Sequence, residues 1–358
     1  MSTFSGLIEE IPGISVDRFD RQNMNSSAYF LTHCHIDHMH GLNNEFFDHL
    51  KQYNKYLYCS RISKVILENK YYRNLRNIET CVKDIAIDKQ IRIKYKRNRD
   101  SEETDILLVT CTSAGHCLGS VMFIFENRNK LILYTGDFRI NPRDYSKIKS
   151  LNHRRDFPKK FDKVYLDTTF LDRNFISFPT RIECINLMSE VVKEWLDKSP
   201  RNVVILECSA LFGSEFLYME LSKSLKTLIH VKEVVYNSYN RIPDLACHIT
   251  NNPLDARIHA CVNKLNYSGL TCRTNVLKQD ILIIVPSVLK WKGHNTSVVG
   301  KWDKNKEGMF NVCYSMHASF NELEKFIQYF KPKEVYPCVI PKDTDFKTVS
   351  QLLNQIRR

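Results

Sequence analysis

The run Tyr29-Phe30-Leu31-Thr32-His33-Cys34-His35-Ile36-Asp37-His38 constrains this chain more than any other stretch. Four candidate metal ligands, His33, His35, Asp37 and His38, fall within six residues, directly after an apolar segment that reads as a buried strand. A strand end fixes the backbone, so the loop leaving it aims its side chains reproducibly. In extended chain the side chains alternate with period two, which puts His33 and His35 on one side and lets them chelate one ion. Asp37 and His38 follow where the chain turns toward Met39-His40-Gly41, facing a second position beside the first. Imidazole plus carboxylate suits an open catalytic zinc better than a closed structural one.

An ion on His33 and His35 needs a further ligand, and His116 in Thr112-Ser113-Ala114-Gly115-His116-Cys117-Leu118-Gly119-Ser120 supplies it. It too follows a strand-like run, Ile106 to Val109, and Gly115 and Gly119 let a backbone come close to an ion or ligand. Asp137 ends another apolar strand, Leu131-Ile132-Leu133-Tyr134. A carboxylate has two oxygens, so Asp137 can bridge two ions, as in two-metal hydrolases.

With 358 residues the chain has room for one large or two ordinary domains, and 43% apolar content supports a core. Lys plus Arg exceed Asp plus Glu by 52 to 40, and this net +12 suits a polyanionic partner. Twelve cysteines lack the dense spacing of a disulfide scaffold, and the N-terminal residues do not read as a signal peptide, which points to a reducing compartment. The longest apolar run, Ile281 to Leu289, is broken by Pro286, so no membrane partner is expected. The basic run Lys94-Tyr95-Lys96-Arg97-Asn98-Arg99-Asp100 reads as a solvated hairpin tip, with a phosphate contact as the alternative.

Up to about Arg155, strands are each followed by a loop carrying a polar motif; beyond it, strands and helices alternate, which argues a parallel sheet covered by helices. Thr180-Arg181-Ile182-Glu183 is a capping box that opens a helix to about Lys198, with Ile182, Ile185, Met188 or Ser189, Val192 and Trp195 or Leu196 on its apolar side. Strands are expected at Val164–Leu166, Asn202–Leu206 and Leu228–Val231, and helices near Ser214–Leu225 and Ile242–Ile249. Ser319-Phe320-Asn321-Glu322 is a second capping box, starting a helix to about Phe330, and a last helix is expected near Lys347–Ile356.

These motifs, Asp17 in Ser15-Val16-Asp17-Arg18-Phe19-Asp20, the loop His33 to His38, then His116 and Asp137, resemble the metallo-β-lactamase superfamily. Within it the chain is similar to the β-CASP nucleic-acid nucleases, and most to their DNA-repair branch, through Tyr165-Leu166-Asp167-Thr168-Thr169-Phe170 and Arg257-Ile258-His259-Ala260-Cys261. Leu118 departs from the proline usual there. The resemblance implies an α/β fold, an αββα sandwich with an inserted β-CASP α/β domain. That gives residues 1–155 and 317–358 to the sandwich and 156–316 to the insert.

It further implies zinc-dependent hydrolysis of DNA phosphodiesters at ends, hairpins and overhangs in double-strand break repair by end joining, in the nucleus. A 5′-to-3′ exonuclease of interstrand crosslink repair and an RNA-processing nuclease stay open beside it. The expected cofactors are one or two active-site ions, the second zinc, magnesium or manganese, and one structural zinc. DNA and the DNA-dependent protein kinase catalytic subunit are the partners it allows. Asp17 is then a support that orients a metal-binding histidine, or else a turn aspartate. Asp167 matches the first β-CASP acidic motif and would orient a ligand histidine, or else cap a strand end. His317 sits by the second metal or contacts substrate phosphate, and Ser319 joins it there or is simply the helix N-cap. By the same resemblance His230, His259, Cys261 and Cys272 form a closed zinc site rather than separate core residues, and His259 is assigned to that zinc instead of to general-acid catalysis.

Overall fold

The computed structural model describes residues 2–69, 75–97, 103–208, 212–261 and 270–357. It divides into two compact units, Met1–Leu171 with Met316–Arg358, and Asp172–Ser315.

The first unit is built on two sheets. Ile14–Val16, Ala28–Phe30, Leu57–Ser60 and Val82–Ile85 lie side by side, all parallel. The second sheet runs in the order Glu334–Pro337, Lys163–Leu166, Leu131–Tyr134, Val121–Glu126, Asp105–Ser113, Gln90–Tyr95; its first three strands are parallel and the rest antiparallel. Period-two alternation decides which residue enters which layer. Ile132 and Tyr134 point into the core shared by the sheets, against Phe30, Phe123 and Val16, while Leu133 between them points the other way. There it meets Leu323, Phe326 and Ile327 of the helix Phe320–Phe330 and Val349 and Leu353 of Phe346–Arg357. On the outer face of the first sheet Tyr29 packs edge-on to Phe46 of the helix Asn44–Gln52, ring centroids 4.9 Å apart. The layers are therefore helix, sheet, sheet, helix, the αββα sandwich expected.

The second unit carries one sheet in the order Ile249–Thr250, Ile229–His230, Ile258–His259, Val203–Leu206, Ile281–Pro286, Met309–Val312, Gly300–Trp302, with only the last strand antiparallel. The helix Arg181–Lys198 opens on a complete Thr180/Glu183 capping box. Its buried face is Cys184, Ile185, Met188, Ser189 and Val192; Ile182 is 55% exposed, because in the first turn it precedes the point where the stripe meets the sheet. The helix expected near Ile242–Ile249 shrinks to Pro243–Ala246, since Ile249 and Thr250 join the sheet edge, and a helix the sequence did not signal covers Glu233–Tyr239. Of the basic run, Lys94 and Tyr95 end a strand and Arg97 pairs with Asp105, while Asn98, Arg99 and Asp100 lie outside the described residues.

Candidate metal centre

The strand Ala28–Phe30 delivers the histidine loop, and Ile36–His38 then close into one 3-10 turn that swings His38 back under the sheet end. Here the chain brings together His33, His35, His116 and Asp137, with one ligand atom from each lying within 4.8 Å of the others. His35 Nδ1 stands 3.0 Å from His33 Nε2 and 3.1 Å from His116 Nε2. Asp137 turns Oδ2 to these rings, 3.7 Å from His33 Nε2 and 3.6 Å from His116 Nε2, and Oδ1 to His38 Nε2 at 3.3 Å. Asp37 Oδ2 lies 3.9 Å from His38 Nε2 and accepts from the Ser2 N–H at 3.2 Å. The carboxylate of Asp137 thus faces two positions, one on each oxygen.

Supporting groups fix the rings. Asp17, itself in the left-handed region at φ 56°, accepts from Thr32 N–H at 2.8 Å, from the Thr32 hydroxyl at 2.7 Å and from His38 Nδ1 at 2.9 Å. With its hydrogen given to Asp17, Thr32 Oγ1 accepts from His33 Nδ1 at 2.9 Å. Both rings are therefore held with Nδ1 as the donor and Nε2 turned inward, where it would present its lone pair to an ion. His116 Nδ1 donates to the Met316 carbonyl at 3.1 Å, which leaves its Nε2 in the same state. Neither Thr32 nor the Met316 carbonyl was foreseen: a threonine beside a histidine carries no pattern, and a backbone carbonyl has no sequence identity.

Asp167 accepts from Thr169 N–H at 3.0 Å, from the Thr169 hydroxyl at 2.6 Å and from His317 Nδ1 at 2.9 Å. His317 Nε2 then faces Asp137 Oδ2 at 3.9 Å. Ser319 is 1% exposed; its hydroxyl accepts from Glu322 N–H and its own N–H donates to Glu322 Oε2 at 2.7 Å, completing a capping box. Gly136, at φ 53°, passes so close over Thr32 that a Cβ would meet its side chain at 2.8 Å. A Cβ on Gly115 would strike the Arg139 carbonyl at 2.7 Å.

The donor set fits a cation. His35 Nδ1 faces two ring nitrogens at once, and one ring nitrogen cannot hydrogen-bond both. His38 Nε2 is buried with no directed hydrogen bond, an expensive state that a metal ion would relieve. Burial, reinforced by the neighbouring rings, holds His33 and His116 well below the usual imidazole range, hence neutral, as ligands must be. At His38 burial works in the same sense, yet Asp137 and Asp17 outweigh it and draw a proton onto the ring, the mark of an anionic well that a cation would fill.

The second unit holds another cluster of the same kind. His230, His259, Cys261 and Cys272 offer ligand atoms within 4.8 Å of one another. His230 Nδ1 and His259 Nδ1 are 3.1 Å apart, Cys272 Sγ is 3.4 Å from His259 Nδ1, and the two sulfurs are 3.4 Å apart, too far for a disulfide. The Cys261 thiol donates to Cys272, which, with help from the two histidines and against burial, lowers the Cys272 thiol to about 3 and raises that of Cys261.

A family model described as DNA repair metallo-beta-lactamase matches residues 243–343. The chain is 35% identical to Protein artemis of Danio rerio and of Homo sapiens, over 100% of its own length and 56% and 52% of theirs. It is 26% identical to the DNA cross-link repair 1A protein of Mus musculus, over 91% of this chain and 30% of that one. The chain thus spans about half the length of the artemis relatives. A crystal structure of a protein of unknown function from Enterococcus faecalis V583 shares the fold, with a TM-score of 0.53 at 13% identity over 91% of this chain and 81% of that one. Likeness along the whole chain, around a site whose donors ask for metal ions, leads to one assignment: the chain belongs to the DNA-repair metallo-β-lactamase family, alongside the artemis proteins.

Proposed function

We propose that the chain is a zinc-dependent DNA nuclease that hydrolyses phosphodiesters at ends, hairpins and overhangs, in the nucleus, during double-strand break repair by end joining. The observation that carries this reading is Asp137, with one oxygen turned to His33 and His116 and the other to His38. His33, His35, His116 and Asp137 would hold one ion, and Asp37, His38 and Asp137 a second, which is zinc, magnesium or manganese. Ions bound there supply Lewis acidity that makes water nucleophilic near neutral pH and offsets charge on phosphoryl oxygens.

The chain's own residues do the rest. Asp17 and Thr32 set the tautomers of His33 and His38, so both rings are ready without reorganisation. Asp167 holds His317 Nδ1, turning Nε2 toward the centre as the atom that contacts a phosphate oxygen. Ser319 fixes the helix start behind it. A cleft of about 480 Å³ beside Asp37, with Arg18, His40 and Lys342 in its wall, gives a polyanion access. The unit Asp172–Ser315 is read as the inserted β-CASP domain, starting later than the expected 156–316 because Lys163–Leu166 pairs within the second sheet of the first unit, and its His230, His259, Cys261 and Cys272 as a structural zinc site. The DNA-dependent protein kinase catalytic subunit is proposed as a partner on the likeness to artemis alone.

A second reading, a 5′-to-3′ exonuclease of crosslink repair, is favoured by the DNA cross-link repair 1A likeness. The test is cleavage of labelled DNA hairpins, overhangs and single strands beside matched RNA, by wild type and Asp37→Ala. Cutting at hairpin tips or overhang junctions that vanishes in Asp37→Ala supports the endonuclease. Cutting only from a free 5′ phosphate supports the second reading, and cutting of RNA alone overturns both.

A further inference from the structure

Residues 143–160 carry seven Lys or Arg against two Asp, so eighteen residues hold +5 of the chain's net +12. They fold as the turns Pro142–Lys147 and Lys149–Leu151 followed by a small hairpin, Asn152–Arg154 with Phe157–Pro158. Together they border an open groove of about 530 Å³ lined by Ser146, Lys147, Lys149, His153, Arg154 and Arg155. Like charges so gathered repel one another, and the acids present offset little: Lys147–Asp144 and Arg155–Asp156 are surface pairs. The Arg154 guanidinium lies 4.0 Å over the Phe157 ring, which orients its planar fork.

The groove is rigidly based. The buried Asn152 amide donates to the carbonyls of Tyr145 and Ile148, both at 2.8 Å, and its oxygen accepts from the Tyr329 hydroxyl at 2.9 Å. Tyr329 stands near the end of the helix Phe320–Phe330, whose N-cap, Ser319, is two residues from His317. That helix is a ruler: its 11 residues span about 16 Å at 1.5 Å each. A strand rising about 3.4 Å per nucleotide covers that helix length in roughly five nucleotides.

We propose that this groove is a second anchor for the phosphate backbone of duplex DNA, gripping it about five base pairs from the scissile phosphate. The proposal rests on the DNA-nuclease reading and adds to it a requirement for duplex length. Nucleic acid is favoured over an anionic membrane because the exposed ring on the neighbouring hairpin, Phe157, is already stacked under Arg154, which leaves little apolar surface to insert.

The test measures binding of a Lys147→Glu/Arg154→Glu/Arg155→Glu protein to a short duplex closed as a hairpin with a stem of about 4 base pairs and to a duplex of about 25 base pairs, across a salt series. On the long duplex, the loss of three phosphate contacts should flatten the log–log salt slope by about 2.7. The short duplex, bound at the metal centre, should be held as by wild type, with zinc content and melting temperature unchanged. An unchanged slope on the long duplex while wild type cleaves DNA overturns the anchor and leaves the nuclease standing. Equal loss on both lengths, or loss of binding to phosphatidylserine vesicles with DNA binding intact, also overturns it. A wild type that binds no DNA overturns both.

Discussion

Replacing Asp17 with asparagine changes no shape and reverses the direction of two hydrogen-bond chains. The carboxylate only accepts: from Thr32 N–H at 2.8 Å, from the Thr32 hydroxyl at 2.7 Å and from His38 Nδ1 at 2.9 Å. An asparagine oxygen can keep the Thr32 N–H, which leaves an NH2 facing the hydroxyl and His38. His38 Nδ1 must then accept, so its proton moves to Nε2, where it donates to Asp137 Oδ1, 3.3 Å away, rather than presenting a lone pair. The Thr32 hydroxyl, now receiving the NH2, turns its hydrogen to His33 Nδ1 and reverses that ring as well. Support of this kind changes metal affinity by about 10- to 100-fold per ring, or about 1.4–2.8 kcal/mol. A wrong tautomer in a catalytic histidine can lower turnover by roughly 10⁴. Competition against a chromophoric chelator gives metal affinity, and a thermal melt separates it from unfolding. A folded Asp17→Asn protein that binds metal as wild type does and cleaves at wild-type rate would refute the reasoning.

Other expectations follow from features away from that loop. Cys272→Ala should release one zinc per chain, read by elemental analysis, and lower the melting temperature; full zinc content would remove that site. Phe326→Ala should destabilise by about 3–5 kcal/mol in chemical denaturation, because its buried ring packs on Phe138, Tyr145 and Phe330. At Glu10 burial opposes ionisation, but bonds from Lys163 at 2.6 Å and the Tyr165 hydroxyl at 2.7 Å prevail and lower its carboxyl below 4.5. Lys163 is raised above 10.5 by Glu10 and Glu9 against the effect of burial. The Glu10 contribution is therefore full above pH 4.5 and lost as pH falls through its lowered value, while that of Lys163 is full below pH 10.5 and lost above it. Melts of Glu10→Gln should show a shallower decline on the acid side than wild type; identical acid limbs would dismiss the pair.

Strands were legible wherever an apolar run had to be buried on both faces, as at Leu131–Tyr134, and helices wherever a cap announced them, as at Thr180/Glu183 and Ser319/Glu322. The helix Glu233–Tyr239 escaped because Lys232 at its cap makes no side-chain bond and Glu233-Val234-Val235-Tyr236 carries β-branched residues that suit a strand equally well. Ile182 was placed inward because a stripe read from periodicity does not say where the supporting sheet begins. At the centre, side chains that bind metals announce themselves by type and spacing. The groups that set their tautomers do not, since Thr32 acts through an ordinary hydroxyl and Met316 through its carbonyl.

The bond from His116 to the Met316 carbonyl has a consequence for the order of events in the cell. The first unit is interrupted by residues 172–315, and the edge strand of its second sheet, Glu334–Pro337, arrives only after them. At roughly 5–20 residues per second, about 200 residues separating His116 from His317 take roughly 10–40 s to synthesise. Throughout that interval the nascent chain displays its histidine loop with one ring untethered and the helices Phe320–Phe330 and Phe346–Arg357 missing. A centre wired in this way is assembled only once the chain has been made as far as Met316 and the strand and helices that follow it.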